Sequence, residues 1–142
     1  MATKRKAEVV WRGDLLHGEG TIVSNTSGAL PELPVSWPSR AEAPNGKTSP
    51  EELIAAAHAA CFAMALSHEL AQAGHTAERL ETSATLTFEP GEGIESSALT
   101  VRATVPGLSA DEFDRAAQAA KAGCPVSQAL AGVEISLDAQ LV

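Results

Sequence analysis

The chain has 142 residues, 44% of them hydrophobic and 20% charged, which suits one folded domain spanning 1–142 and argues against disorder. A formal net charge of -8 argues against nucleic acid, whose binding needs clustered positive charge, and the only basic cluster is Lys4-Arg5-Lys6 with Arg12 beyond it. Aromatic residues make up only 4%, with no tyrosine, so the core must be built from Leu, Val, Ile and Ala.

After Lys4-Arg5-Lys6 comes Ala7-Glu8-Val9-Val10-Trp11-Arg12, where a secretory signal would need an apolar run. A cytoplasmic location is therefore expected. In that reducing setting two cysteines are catalytic, metal-binding or inert sooner than a structural disulfide. Ala7, Val9 and Trp11 alternate as in a strand, Gly13-Asp14 marks a turn, and Gly20 to Ser24 supplies a return strand. Pro31, Pro34, Pro38 and Pro44 interrupt the next stretch, which leaves room for a short strand at Val35 to Trp37.

Ser49-Pro50-Glu51-Glu52 then combines an N-cap serine, a proline at the first helical position and a capping-box glutamate. The predicted helix runs from Pro50 to Ala73 and stops at Gly74. Its middle is apolar nearly all round, the mark of a buried helix at the centre of the fold or at a subunit interface. The apolar run Leu53 to Leu66 is short for a bilayer and carries His58, so no membrane is expected.

Leu80, Ala84, Leu86 and Phe88 alternate in one strand, and Leu99, Val101, Ala103 and Val105 in the next, with Pro90-Gly91 in the turn between. Ser109-Ala110-Asp111-Glu112 opens a helix expected to stop at Gly123, and Cys124-Pro125 starts a further helical turn through Leu130. Val133, Ile135, Leu137, Ala139 and Leu141 alternate in a final strand. The class is α+β, with a mostly antiparallel sheet wrapped around the long helix.

The cysteines carry the chemistry. Cys61 sits in the most apolar part of the long helix, where a free cysteine is commonly a small hydrophobe. Cys124 stands at a helix start, where thiolate is stabilised. A buried thiolate also needs a cation, and Arg40, in the proline-rich loop beside Trp37, is the best placed arginine. Glu51 is explained by the helix dipole alone. His58, Cys61 and His68 share a helix face, and with Cys124 they outline a metal site, although no CxxC or HExxH spacing accompanies them. Neither a phosphate-binding glycine loop nor a nucleophile elbow occurs.

From Ser49-Pro50-Glu51-Glu52-Leu53 through His58-Ala59-Ala60-Cys61-Phe62, and again at Gly123-Cys124-Pro125-Val126-Ser127-Gln128, the sequence resembles the OsmC/Ohr family, more its OsmC branch. The likeness extends over essentially the whole chain, including Trp11-Arg12-Gly13-Asp14 and the Arg40 loop. The resemblance implies an OsmC-like intertwined homodimer that reduces organic hydroperoxides, and hydrogen peroxide less well, with no metal, haem or other cofactor. It implies that Cys61 attacks the peroxide and becomes a sulfenic acid, and that Cys124 condenses with it to a disulfide. It further implies that Arg40 polarises the peroxide, that Glu51 orients Arg40, and that a dithiol such as a lipoyl group reduces the disulfide. The alternative is a metal- or ligand-binding homodimer without turnover.

Helix geometry adds a condition. Glu51 and Cys61 are separated by roughly 15 Å along one helix axis and point roughly 80° apart, so Glu51, with Arg40, is expected to serve the partner's thiol. A thiol set among Ala, Phe62, Met64 and Leu66 is also expected to favour peroxides with an apolar tail.

Overall fold

The alternation around Val9 and Trp11 makes the first strand, and the computed structural model, which describes residues 1–142, divides into units Met1–Leu53 and Ile54–Val142. In the first unit β1 (Ala7–Arg12), β2 (Glu19–Asn25) and β3 (Leu33–Val35) form an antiparallel sheet in that order. Trp11 faces Gly20 across the ladder, where a Cβ would meet an indole carbon at 2.7 Å, so only glycine admits the ring. All of β1 is exposed, including Val9, Val10 and Trp11.

The strand expected at Val35 to Trp37 ends at Val35, and a short helix α1 (Trp37–Ala41) takes its place. Ser36 caps it: its hydroxyl accepts from the Ser39 N–H, and the Ser39 hydroxyl oxygen accepts from the Ser36 N–H. Pro38 in the first turn suits the helical start. Serine caps separated by three residues outweighed the β-propensity of Val35 and Trp37.

Helix α2 (Pro50–Gln72) begins in the first unit and continues in the second. Ser49 accepts from the Glu52 N–H at 3.1 Å, as its sequence predicts, while the Glu52 carboxylate accepts from the Thr48 hydroxyl at 2.8 Å. The chain leaves the helix through Gly74, whose φ of +84° is costly for any other residue.

The second unit holds β4 (Arg79–Glu89) and β5 (Gly93–Thr104), an antiparallel hairpin, and β6 (Glu134–Leu141). β6 pairs with β5 in parallel, through a crossover that contains α3 (Ala110–Gly123) and α4 (Pro125–Ala129). Leu99, Val101 and Ala103 of β5 pack with Phe62, Leu66 and Leu70 of α2 and with Phe113, Ala117 and Ala120 of α3.

Two features correct the expected architecture. There are two separate three-stranded sheets, not one sheet wrapped around a helix. Within the second unit α2 buries only one stripe, His58, Phe62, Leu66 and Leu70, while Ala56, Ala57, Ala60 and Met64 are exposed. The i, i+4 spacing of that stripe is a single helix face, and the chain supplies neighbours for that face alone. With 23 residues α2 is also longer than its apolar run, and by length and composition it meets the requirement of a membrane span. Its packed stripe and the hydrogen-bonded His58 within it belong instead to a folded core.

Candidate active site

Proline 125 shapes one half of the site. The residue before a proline is pushed out of helical geometry, and Cys124 accordingly takes an extended conformation at the junction of α3 and α4 (φ -60°, ψ 123°). The glycine stop expected at Gly123 does not occur: Gly123 is the last helical residue, and Cys124 itself ends α3 and begins α4. Its N–H donates to Ala120 and its carbonyl accepts from Gln128. The thiol is thus held on backbone fixed from both sides.

Cys61 comes to it from α2. Both thiols are free, Cys124 fully buried and Cys61 partly exposed, and they are close enough that each shifts the other's titration. The two are pushed in opposite directions. Burial raises the Cys61 thiol above its ordinary value, Cys124 adds to the rise, and the Val126 N–H opposes it. Burial also works against the Cys124 thiolate, but the Cys61 thiol, the Ser127 N–H and hydroxyl, and the Val126 N–H together lower its pKa. The more acidic thiol is therefore the fully buried one.

An open groove of about 390 Å³ borders Cys61, lined by Met64, Ala65, Ala119, Ala120 and Pro125, with His68 and Glu69 also present. Of the apolar residues expected around the thiol, Met64 and alanines line this groove, and Phe62 and Leu66 do not. Phe62 and Leu66 point into the core, because they lie on the buried stripe of α2.

Arg40 and Glu51 form a second pair, inside the first unit. Arg40, on α1, donates from Nε to both Glu51 carboxylate oxygens, at 2.7 and 3.1 Å. Glu51, in the first turn of α2, is only 7% exposed, and the Arg40 guanidinium carbon stands 5.9 Å from the Trp37 ring centroid. A carboxylate on one edge and an indole on the face restrict the guanidinium and leave its position well defined. Glu51 thus does more than complement a helix dipole: it holds an arginine.

Two serines went unnoticed in the sequence, both hydrogen-bonded to the His58 already singled out by its spacing from Cys61. His58, fully buried, is hydrogen-bonded through Nδ1 to the Ser97 hydroxyl at 2.7 Å and through Nε2 to the Ser127 hydroxyl at 2.8 Å. Both ring nitrogens are engaged, so His58 has no lone pair to offer in the metal set suggested by its spacing from Cys61. Ser127 follows Cys124 by three residues, the one signal that marked it; Ser97, on a distant strand, had none.

Comparison with known proteins places this geometry. The family model described as OsmC-like protein matches residues 43–138. Over 99% of both chains the sequence is 46% identical to the peroxiredoxin OsmC of Escherichia coli (strain K12). It is 32% identical to the organic hydroperoxide resistance protein OhrA of Bacillus subtilis (strain 168), covering 84% of this chain and 86% of that one. In structure it is similar to an organic hydroperoxide resistance protein OsmC from Legionella pneumophila, with a TM-score of 0.67, 26% identity and coverage of 95% and 96%. The two small sheets with their helices are the α+β fold of OsmC and Ohr proteins, and this chain belongs to the OsmC family.

Proposed function

We propose that the protein is a cysteine-based peroxidase that reduces organic hydroperoxides in the cytoplasm as an intertwined homodimer. The observation that carries this reading is the pair of free thiols near enough to shift each other's titration, one of them bordering an apolar groove. The names of the relatives, peroxiredoxin and organic hydroperoxide resistance protein, support it. The Cys61 thiolate attacks the distal peroxide oxygen, the O–O bond breaks, and the alkoxide leaves as alcohol after protonation. Cys61 is left as a sulfenic acid. Cys124 then attacks that sulfur, water leaves, and a disulfide remains for a dithiol such as a lipoyl group to reduce.

The test is mass spectrometry after one equivalent of cumene hydroperoxide. The expected product has lost two hydrogens and carries a Cys61–Cys124 crosslink, which Cys124→Ser replaces by a sulfenic acid on Cys61. Thiols that stay reduced while peroxide is added overturn the reading.

The dimer enters through the cation. Burial disfavours the Cys61 thiolate, so its ionised form needs a cation, and Glu51 holds the Arg40 guanidinium in a defined place. Arg40 and Glu51 of one protomer complete the site of its partner. The exposed apolar residues of β1 and the exposed Ala56, Ala57, Ala60 and Met64 of α2 support association of two chains. Glu51→Gln is expected to lower kcat/KM for hydroperoxide roughly 10- to 100-fold by loosening Arg40. Mixing it with inactive Cys61→Ser protein is expected to restore activity, because a mixed dimer regains one complete site. Absence of recovery after verified subunit exchange places Arg40 and Glu51 within one chain's own site.

A further inference from the structure

Helix α4 begins at Cys124, yet little holds it in place. It has five residues, too few for a helix that is stable alone. None of its side chains belongs to the hydrophobic core cluster. The Cys124 side chain makes no capping bond to it, and the join to α3 is a backbone bond from the Cys124 N–H to the Ala120 carbonyl. One side-chain hydrogen bond ties α4 to another element: the Ser127 hydroxyl meets His58 Nε2 at 2.8 Å. His58 is fixed in turn from β5, where the Ser97 hydroxyl meets Nδ1 at 2.7 Å. All three side chains are buried, His58 fully so.

We propose that His58 is a positioning residue for disulfide formation: it pins α4 to α2 and β5 and so fixes where Cys124 stands relative to Cys61. The pin sits one helical turn from each thiol. His58 lies three residues before Cys61 on α2, and Ser127 three residues after Cys124 on α4. The groove beside Cys61 is walled by Gly123 and Pro125, the two chain neighbours of Cys124, so the elements meet at the thiols. Imidazole suits the task, because a rigid ring with two separated nitrogens reaches a strand on one side and a helix on the other. Burial disfavours its charged form, and the neutral ring brings one donor and one acceptor to hydroxyls that can each do either. No buried side-chain polar atom is left without a partner. Such a tie also has direction, since a hydrogen bond weakens steeply off line, whereas apolar contacts tolerate sliding.

The consequence falls on resolution. As the Cys124 sulfur attacks the Cys61 sulfenic acid, an S–S bond forms, the S–O bond breaks, and the departing hydroxide leaves as water with the proton that Cys124 gives up. Cys124 is oxidised and the sulfenic sulfur reduced, with no further co-reactant. Attack requires the two sulfurs in line and in contact, and a misplacement of about 1 Å costs about a hundredfold in rate. The earlier attack of Cys61 on peroxide needs no group of α4, so loosening α4 separates the two steps.

This inference rests on the peroxidase reading for its second measurement but not for its first. In reduced full-length protein, Ser127→Ala is expected to speed hydrogen exchange at the Gln128 and Leu130 N–H groups, which bond within the α4 turn, about tenfold, with the α3 amides unchanged. With one equivalent of cumene hydroperoxide, Ser127→Ala and His58→Leu are each expected to slow disulfide formation roughly 10- to 100-fold, while Cys61 sulfenic acid, trapped by dimedone, forms within about twofold of the parent rate. The double variant is expected to be no slower than either single one, because both cut the same bond. His58→Gln, which keeps a donor and an acceptor, is expected to recover most of the rate. A ring that served stability alone would slow both steps together and gain nothing from glutamine. Parent-like disulfide formation in folded Ser127→Ala protein overturns the proposal, and so does equal slowing of both steps. Should His58→Leu not fold, the exchange and the step rates of Ser127→Ala decide alone. Failure of the unmutated protein to form a sulfenic acid overturns the peroxidase reading and leaves the exchange result standing.

Discussion

Cys61→Ser protein is expected to lose hydroperoxide reduction by roughly a thousandfold or more in kcat/KM, measured as peroxide consumption with excess dithiol. Serine keeps the size of the side chain, so the helix and its packing survive, but its hydroxyl is a far weaker nucleophile at neutral pH. The result is informative because acidity alone ranks the thiols the other way. Cys124 carries the lowered pKa and Cys61 the raised one. Access reverses that ranking: Cys124 is fully buried, and Cys61 borders the groove. A peroxide must reach the sulfur it oxidises, so attack by the partly exposed Cys61, with Cys124 resolving, is the expected order. Full activity in Cys61→Ser together with none in Cys124→Ser would invert the roles.

Phe62→Ala is expected to destabilise the fold by about 3–5 kcal/mol, read as a shift of the urea midpoint at unchanged slope. Phe62 is fully buried among α2, β5 and α3, in an aromatic-poor core where little else could fill the space. It follows Cys61 directly, and successive helical residues point about 100° apart, so one faces the core and the other the groove. The cavity therefore loosens the helix that carries Cys61. A change below about 1 kcal/mol would mean that the neighbouring Ala residues collapse into the gap.

Much of the fold was legible because it rests on local physics. Ser49 and Ser109 cap α2 and α3 as their sequences predict, Gly74 ends α2, and the alternation in β4, β5 and β6 names the buried face of each. The failures share one cause. Helix α1 was hidden because Val35 and Trp37 favour strands while its stabilising bonds run between two serines. The parallel pairing of β6 with β5 depends on where a crossover lands, which no alternation pattern records. An all-apolar α2 suited either the centre of the fold or a subunit interface, and within the chain only one of its faces is covered, because periodicity counts apolar residues and not the neighbours that cover them.

The site divides in the same way. By itself the sequence singled out the candidates: Cys61 and Cys124 through their motifs, Arg40 through its place in the loop before α2, and Glu51 through the family resemblance. Only the tertiary structure decided what those residues experience. It brought Cys124 to Cys61 from separate helices and seated Arg40 on the Glu51 carboxylate. It also joined Ser97, His58 and Ser127 into one buried line. Motifs encode residue identity at fixed spacing along the chain, whereas acidity and access depend on distance, burial and hydrogen-bond direction between segments far apart in it.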